Sequence, residues 1–155
     1  WRLLSENFPR VFADPGDVEA RAGMQKGASL AGLAIEASML GAAHSAANPL
    51  TAQYGIVHGV AIGLVLPAVV RFNSSKVGAE YDKLTGAEGG HGEGLASSLE
   101  KFRELSGLPK TLSAFKVRVE DIENLSSDAE SQWTAQFNPV KVTAGEFQAI
   151  YRDAF

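Results

Sequence analysis

Two of the three histidines of this 155-residue chain, His44 and His58, lie in its most apolar third, and no other residues carry a clearer chemical signal. Neutral imidazole nitrogen is a common donor to divalent metals. Asn48 follows His44 by four residues, so wherever the turn stays helical both side chains face one way. An apolar wall carrying two imidazoles and an amide can hold a divalent ion, provided each ring's second nitrogen has a partner that fixes its tautomer. The set is incomplete. Zinc takes about three or four protein ligands, and many iron sites need two histidines and a carboxylate. Glu36 lies two turns before His44 and is not assigned as a ligand. Read from the residues alone, this is half a metal site, and a pair of histidines that merely cap or pack stays open beside it.

The elements that position these residues are helical. Apolar residues Trp1, Leu4 and Phe8 have helical spacing, so residues 1–12 form a short amphipathic helix stopped by Asp14-Pro15-Gly16. Asp17 is placed to cap the next helix, with Glu19 in its first turn. That helix, rich in Ala, Gly, Ser and Leu, is predicted to run to about Ala43, with His44 at its end. Its small residues allow neighbouring helices to approach closely. The stretch from Ser45 to Val57 contains Asn48-Pro49 and Tyr54-Gly55 and reads as a loop or broken turn. An apolar helix from His58 to about Phe72 follows, kinked at Pro67. Its apolar run is too short to span a bilayer and reads as a core helix. Asn73-Ser74-Ser75 is placed to cap a helix over 75–84, and the glycine-rich residues 86–92 form a flexible connection. A helix over 93–105 ends at Gly107 in the C′ role, a short turn covers 111–115, and a helix runs from Val119 to about Phe137. Thr143 and Glu146 fit a capping box opening a last helix, 144–154. The fold class is all-α, one helical bundle over residues 1–155.

Composition narrows the function classes. The net charge of −4 argues against a nucleic-acid footprint, and the absence of cysteine excludes a disulfide scaffold, a zinc-thiolate site and a cysteine nucleophile. With 45% hydrophobic and 21% charged residues the chain can form a core. Trp1-Arg2-Leu3-Leu4 carries neither the basic nor the apolar region of a signal peptide, and the chain reads as starting within a longer protein. His91, among glycines, reads as a loop residue without a catalytic role. Thr51 and Tyr54 either line a channel or pack. Glu120, Asp121 and Glu123, like Asp128 and Glu130, read as a solvated face, and Trp1 and Trp133 as packing residues.

Three stretches are specific when read together: Gly23-Met24-Gln25-Lys26-Gly27-Ala28-Ser29-Leu30-Ala31-Gly32, then Gly41-Ala42-Ala43-His44-Ser45-Ala46-Ala47-Asn48-Pro49-Leu50, then Tyr54-Gly55-Ile56-Val57-His58-Gly59-Val60-Ala61. They resemble the helical C-terminal domain of the iron-containing (group III) alcohol dehydrogenases, of the dehydroquinate synthase-like fold. The resemblance extends over nearly the whole chain and is densest over 17–73.

The resemblance implies a divalent ion, Fe2+ or Zn2+, held by one Asp and three His, two of which match His44 and His58. The other two ligands, and a nucleotide-binding N-terminal domain, belong to a segment that would precede Trp1. The family's loop reads His-Pro-Leu-Gly where this chain has Asn48-Pro49-Leu50-Thr51. Asn48 would therefore stand beside the substrate as an amide, which can orient a water or substrate oxygen but cannot shuttle a proton at neutral pH. The implied activity is NAD- or NADP-linked hydride transfer between small alcohols and aldehydes, in a cytoplasmic homo-oligomer with no nucleic-acid or membrane partner. The isolated chain would be inactive. Maleylacetate reductase-like or glycerol dehydrogenase-like chemistry is the nearest alternative, and a non-catalytic helical interaction domain the alternative of a different class.

Overall fold

Seven helices, interrupted by short 3-10 turns, account for most of residues 1–87 and 89–155, the residues that the computed structural model describes; no strand occurs among them. They are α1 (Arg2–Ala13), α2 (Val18–Ser38), α3 (Ala42–Tyr54), α4 (His58–Thr85), α5 (Glu93–Leu105), α6 (Ile122–Ser131) and α7 (Ala144–Asp153). The helix starts read from local sequence are present. The Asp17 carboxylate accepts the Ala20 amide at 2.9 Å, and Glu146 reaches back to accept the Thr143 amide at 2.8 Å and the Thr143 hydroxyl, closing the capping box.

The main core joins α3, α4, α6 and α7 and is built from small and branched residues: Ala42, Ala46 and Ala47 meet Leu50, Leu64, Val65, Leu125, Phe147 and Ile150. Tyr151 is fully buried among them, and its hydroxyl donates to the carbonyl of Ala46 at 2.7 Å. Such alanine-lined contacts let α3 lie close against its neighbours. A smaller cluster, Val70, Leu95 and Ala96, ties α4 to α5. By length and apolarity α4 could cross a membrane, but within this bundle its Leu64, Val65, Pro67, Val69 and Val70 are buried.

Four sequence expectations are corrected. Of the segment 45–57 only residues 55–57 form a connection: α3 is helical straight through Pro49 to Tyr54. A proline there lacks the amide that would bond back one turn. The burial of Ala42, Ala43, Ala46, Ala47, Pro49 and Leu50 on one side outweighs that loss. The helix expected to run to Ala43 ends at Ser38, where Met39 turns to a positive φ of 64°. His44 consequently lies in the first turn of α3, not at the end of α2. The break expected around Asn73-Ser75 falls instead at Val77, with φ −123° and ψ 17°, the non-helical backbone inside α4, and not at Pro67. Asn73 is buried rather than capping. Finally, the helix expected over 119–137 is divided: a 3-10 turn at Val119–Asp121, then α6, then a 3-10 turn at Trp133–Phe137 set off by extended Gln132.

The second half of α2 makes no buried contact. Residues 28–38 are exposed, among them Leu30, Leu33 and Ile35. In the connection over 86–92, Glu88 lies outside the described residues; around it, the Asp82 carboxylate accepts the amides of His91 at 3.0 Å and Gly92 at 2.8 Å, which fixes the entry to α5.

Candidate metal centre

His44 is the third residue of α3 and His58 the first of α4. The turn between these helices, closed by Gly55 at a positive φ of 66°, brings the helix starts together. The two imidazole centroids are 5.4 Å apart, with ring planes inclined at 47°. One divalent ion bound about 2.0–2.1 Å from a nitrogen of each ring sets two centroids roughly 5 Å apart. The observed spacing and tilt thus suit two imidazoles turned to a shared ion and are unlike a face-to-face stack. His44 is half-buried, and His58 is exposed.

Burial, and then the neighbouring imidazole of His58, push the pKa of His44 below its ordinary value. Near neutral pH His44 is held in the unprotonated form that a metal requires. Among the described residues no cluster of three or more His, Asp, Glu or Cys gathers at this pair or elsewhere. The donors present fit two positions of a divalent site and leave the rest to other groups.

Asn48 is partly buried along a polar seam. Its side-chain amide donates to the Gln132 side-chain carbonyl at 2.9 Å. Around it Pro49, Thr51, Gln53 and Asp128 line a shallow cavity of about 440 Å3. A larger cavity of about 510 Å3, lined by Leu4, Phe8, Gly63, Leu99 and Phe102, opens between α1, α4 and α5. Gly59 and Val60 contribute to it, but neither imidazole does.

The remaining residues singled out in the sequence divide cleanly. Tyr54 does not line a channel: its hydroxyl donates to Asp121, which also takes a bidentate contact from Arg118 at 2.7 Å. Arg118 first, then Tyr54, lower the pKa of Asp121. Asp121 is therefore a tether for the end of α3 and not part of a merely solvated face. Asp128 similarly accepts from Gln53 at 2.6 Å, whereas Glu120, Glu123 and Glu130 are exposed as expected. Trp1 packs on Phe102, with centroids 5.8 Å apart. Trp133, read as a packing residue, stands edge-on to Phe137 but remains 57% exposed. His91 is exposed. The sequence reading missed Gln132, Thr134 and Asn138 and took Asn73 for a helix cap, though all four touch α3 or its partners; for the Asn138 contact the one local signal is Gly41, a helix start without a capping side chain.

An all-α domain that presents two imidazoles from adjoining helix starts is the class that fold and site define. The chain belongs to the iron-containing alcohol dehydrogenase family: the family model described as "Fe-containing alcohol dehydrogenase family, C-terminal" matches residues 1–155. Long-chain-alcohol dehydrogenase 1 of Geobacillus thermodenitrificans is 30% identical over 99% of this chain and 42% of its own length. Lactaldehyde reductase of Escherichia coli K12 is 32% identical over 90% of this chain and 39% of its own length. The crystal structure of a 1,3-propanediol oxidoreductase superposes with a TM-score of 0.91, at 29% identity, over 99% of this chain and 43% of that one. The chain thus spans about two-fifths of the length of the relatives it matches.

Proposed function

We propose that this chain is the metal-binding C-terminal part of an NAD- or NADP-linked dehydrogenase that interconverts small alcohols and aldehydes. In this reading His44 and His58 supply two ligands of an Fe2+ or Zn2+ ion. The observation that carries it is the 5.4 Å spacing of two inclined imidazoles within a fold of this family. When bound, such an ion supplies Lewis-acid stabilisation of the charge that develops on the substrate oxygen, while the nicotinamide carries the hydride.

The chain's own residues have separate tasks. His44 stays unprotonated because burial disfavours its cation. Asn48, fixed by Gln132, orients a water or substrate oxygen and leaves proton transfer to another group. Exposed Leu30, Leu33 and Ile35 on α2 offer apolar surface to a nucleotide-binding domain. The relatives named for long-chain alcohols, lactaldehyde and 1,3-propanediol support a primary alcohol or aldehyde as the substrate class. A cytoplasmic homo-oligomer completes the proposal.

The test uses the full-length protein. Loaded anaerobically with ferrous ion, it should oxidise NADH or NADPH with short aldehydes, and His58→Ala and His44→Ala should each lose both metal and turnover. If both variants bind metal as tightly as the parent, the two imidazoles only pack and the dehydrogenase reading of this site fails.

A further inference from the structure

The first turn of α3, which carries His44, is not capped by its own sequence. Gly41 occupies the N-cap position and has no side chain to offer. The exposed amides of a helix start need a partner, and here Asn138, 96 residues along the chain, provides one: its Oδ1 accepts the Ala42 amide at 3.2 Å. Asn138 is itself locked in place. Its Oδ1 also accepts from Asn73 Nδ2 at 3.1 Å, and its Nδ2 donates to Asn73 Oδ1 and to the Val140 carbonyl, both at 2.7 Å. Asn73 is 3% exposed, within α4. The approach is close enough that a Cβ on Gly41 would lie 3.0 Å from Asn138 Oδ1.

Two further contacts extend this seam. Ser45 and Thr134 share a buried hydroxyl hydrogen bond of 2.7 Å, and Asn48 bonds Gln132. Residues 42, 45 and 48 recur every three positions and so lie along one side of α3, gripped by the stretch 132–138. The rest of α3 has its own anchors: the Tyr151 hydroxyl on Ala46, the Tyr54 contact with Asp121, and buried Leu50. The Asn138 contact acts on the first amide of the turn that bears His44; Ser45, the next residue, is held by Thr134, and the His44 amide bonds back to Gly41 at 3.1 Å.

We infer that the reciprocal amide pair Asn73–Asn138 is a positioning device that caps α3 from outside and thereby holds the His44 ring at His58. The inference rests on the reading of His44 and His58 as metal ligands. Loss of the cap should fray Ala42 to His44 and leave the helix beyond Ala46 in place, so it should weaken metal binding far more than it weakens the fold. Outer partners of metal ligands typically contribute 10–100-fold in affinity, and a loss of about that size is expected for Asn138→Ala.

The experiment compares the full-length parent with Asn138→Ala, Gly41→Ala, His44→Ala and, as a control, Leu95→Ala in the α4–α5 cluster. Co2+ affinity is measured by competition with a chromophoric chelator, and amide hydrogen exchange is followed in peptides covering 40–46 and 50–56. Asn138→Ala should lose about 10–100-fold in Co2+ affinity, with faster exchange confined to 40–46. Gly41→Ala, which removes no polar group and only pushes Asn138 away, should shift both readings in the same direction by less. Leu95→Ala should leave Co2+ affinity unchanged even if its melting temperature falls as far. Unchanged exchange over 40–46 in Asn138→Ala, or an equal loss of Co2+ affinity in Leu95→Ala, overturns the positioning role. Retention of Co2+ by His44→Ala overturns the ligand reading instead, and the exchange pattern then decides the cap on its own.

Discussion

A pair of glycine substitutions in α2 should change stability in opposite directions, and the structure gives the size of each. Gly23 faces α1 where the helices cross: a Cβ there would lie 2.4 Å from Asn7 Nδ2 and 2.6 Å from its Cγ. Asn7 cannot swing away freely, since it is buried and its Nδ2 donates to the Leu3 carbonyl at 2.7 Å. Gly32 lies in the exposed half of the same helix, with no atom within 4 Å of a built Cβ. Replacing glycine by alanine in a helix interior favours the helix by about 0.8–1.0 kcal/mol. At Gly32 nothing opposes this, and Gly32→Ala should stabilise by about that much, raising the melting temperature by roughly 2–4 °C. At Gly23 the same gain meets overpacking of about 1–3 kcal/mol and the displaced Asn7 hydrogen bond, about 0.5–1.5 kcal/mol. The net loss for Gly23→Ala should therefore be about 0.5–3.7 kcal/mol. Urea unfolding, with the midpoint read at constant slope, measures both. If Gly23→Ala stabilises as much as Gly32→Ala, α1 and α2 do not approach as closely as the structure has them, and the argument from close packing fails.

Three smaller effects should accompany it. Tyr151→Phe removes the buried hydroxyl that bonds Ala46 and should cost about 0.5–1.5 kcal/mol in equilibrium unfolding with the core otherwise intact. Glu146→Ala opens the capping box of α7 and should cost about 0.5–2 kcal/mol, seen as a lower urea midpoint. Because His44 has a lowered pKa in the fold, the unfolded chain takes up its proton first as pH falls. Stability should therefore be highest above the ordinary imidazole value and decline as pH drops through it towards the folded pKa. His44→Gln should flatten that decline in metal-free unfolding measured from pH 8 to pH 5.

What could be read from the sequence followed the range of the interactions. The Asp17 cap and the Thr143–Glu146 box span three residues each, so both helix starts were legible. His44 and His58 were visible as types, but their 5.4 Å proximity was not, because it depends on how the chain doubles back along the whole length of α3. The helix through Pro49 was not legible, because Asn48-Pro49 is a local breaker signal. What overrides it is burial against α4, α6 and α7, which no local window records. The break at Met39 was hidden in the same way, inside an unbroken run of small and apolar residues. The role of Asn138 was not legible at all, since its partners Ala42 and Asn73 lie far along the chain.

The placement of both imidazoles in the first turns of helices has an electrostatic consequence. A helix start carries partial positive charge from its unpaired amides, which disfavours a nearby cation. For His44 this acts in the same sense as burial, towards the neutral ring that a metal can use. For the ion itself it acts the other way, and two neutral imidazoles contribute no charge to offset it. Asn48 adds none, and the acidic residues bonded near α3, Asp121 and Asp128, are taken up by Arg118, Tyr54 and Gln53. If an ion is held here, an acidic residue among the remaining ligands, as the resemblance to the family implies, would offset that charge. In the proposed site, two donors without charge would thus stand at helix starts of partial positive charge, a setting that an acidic ligand would complement.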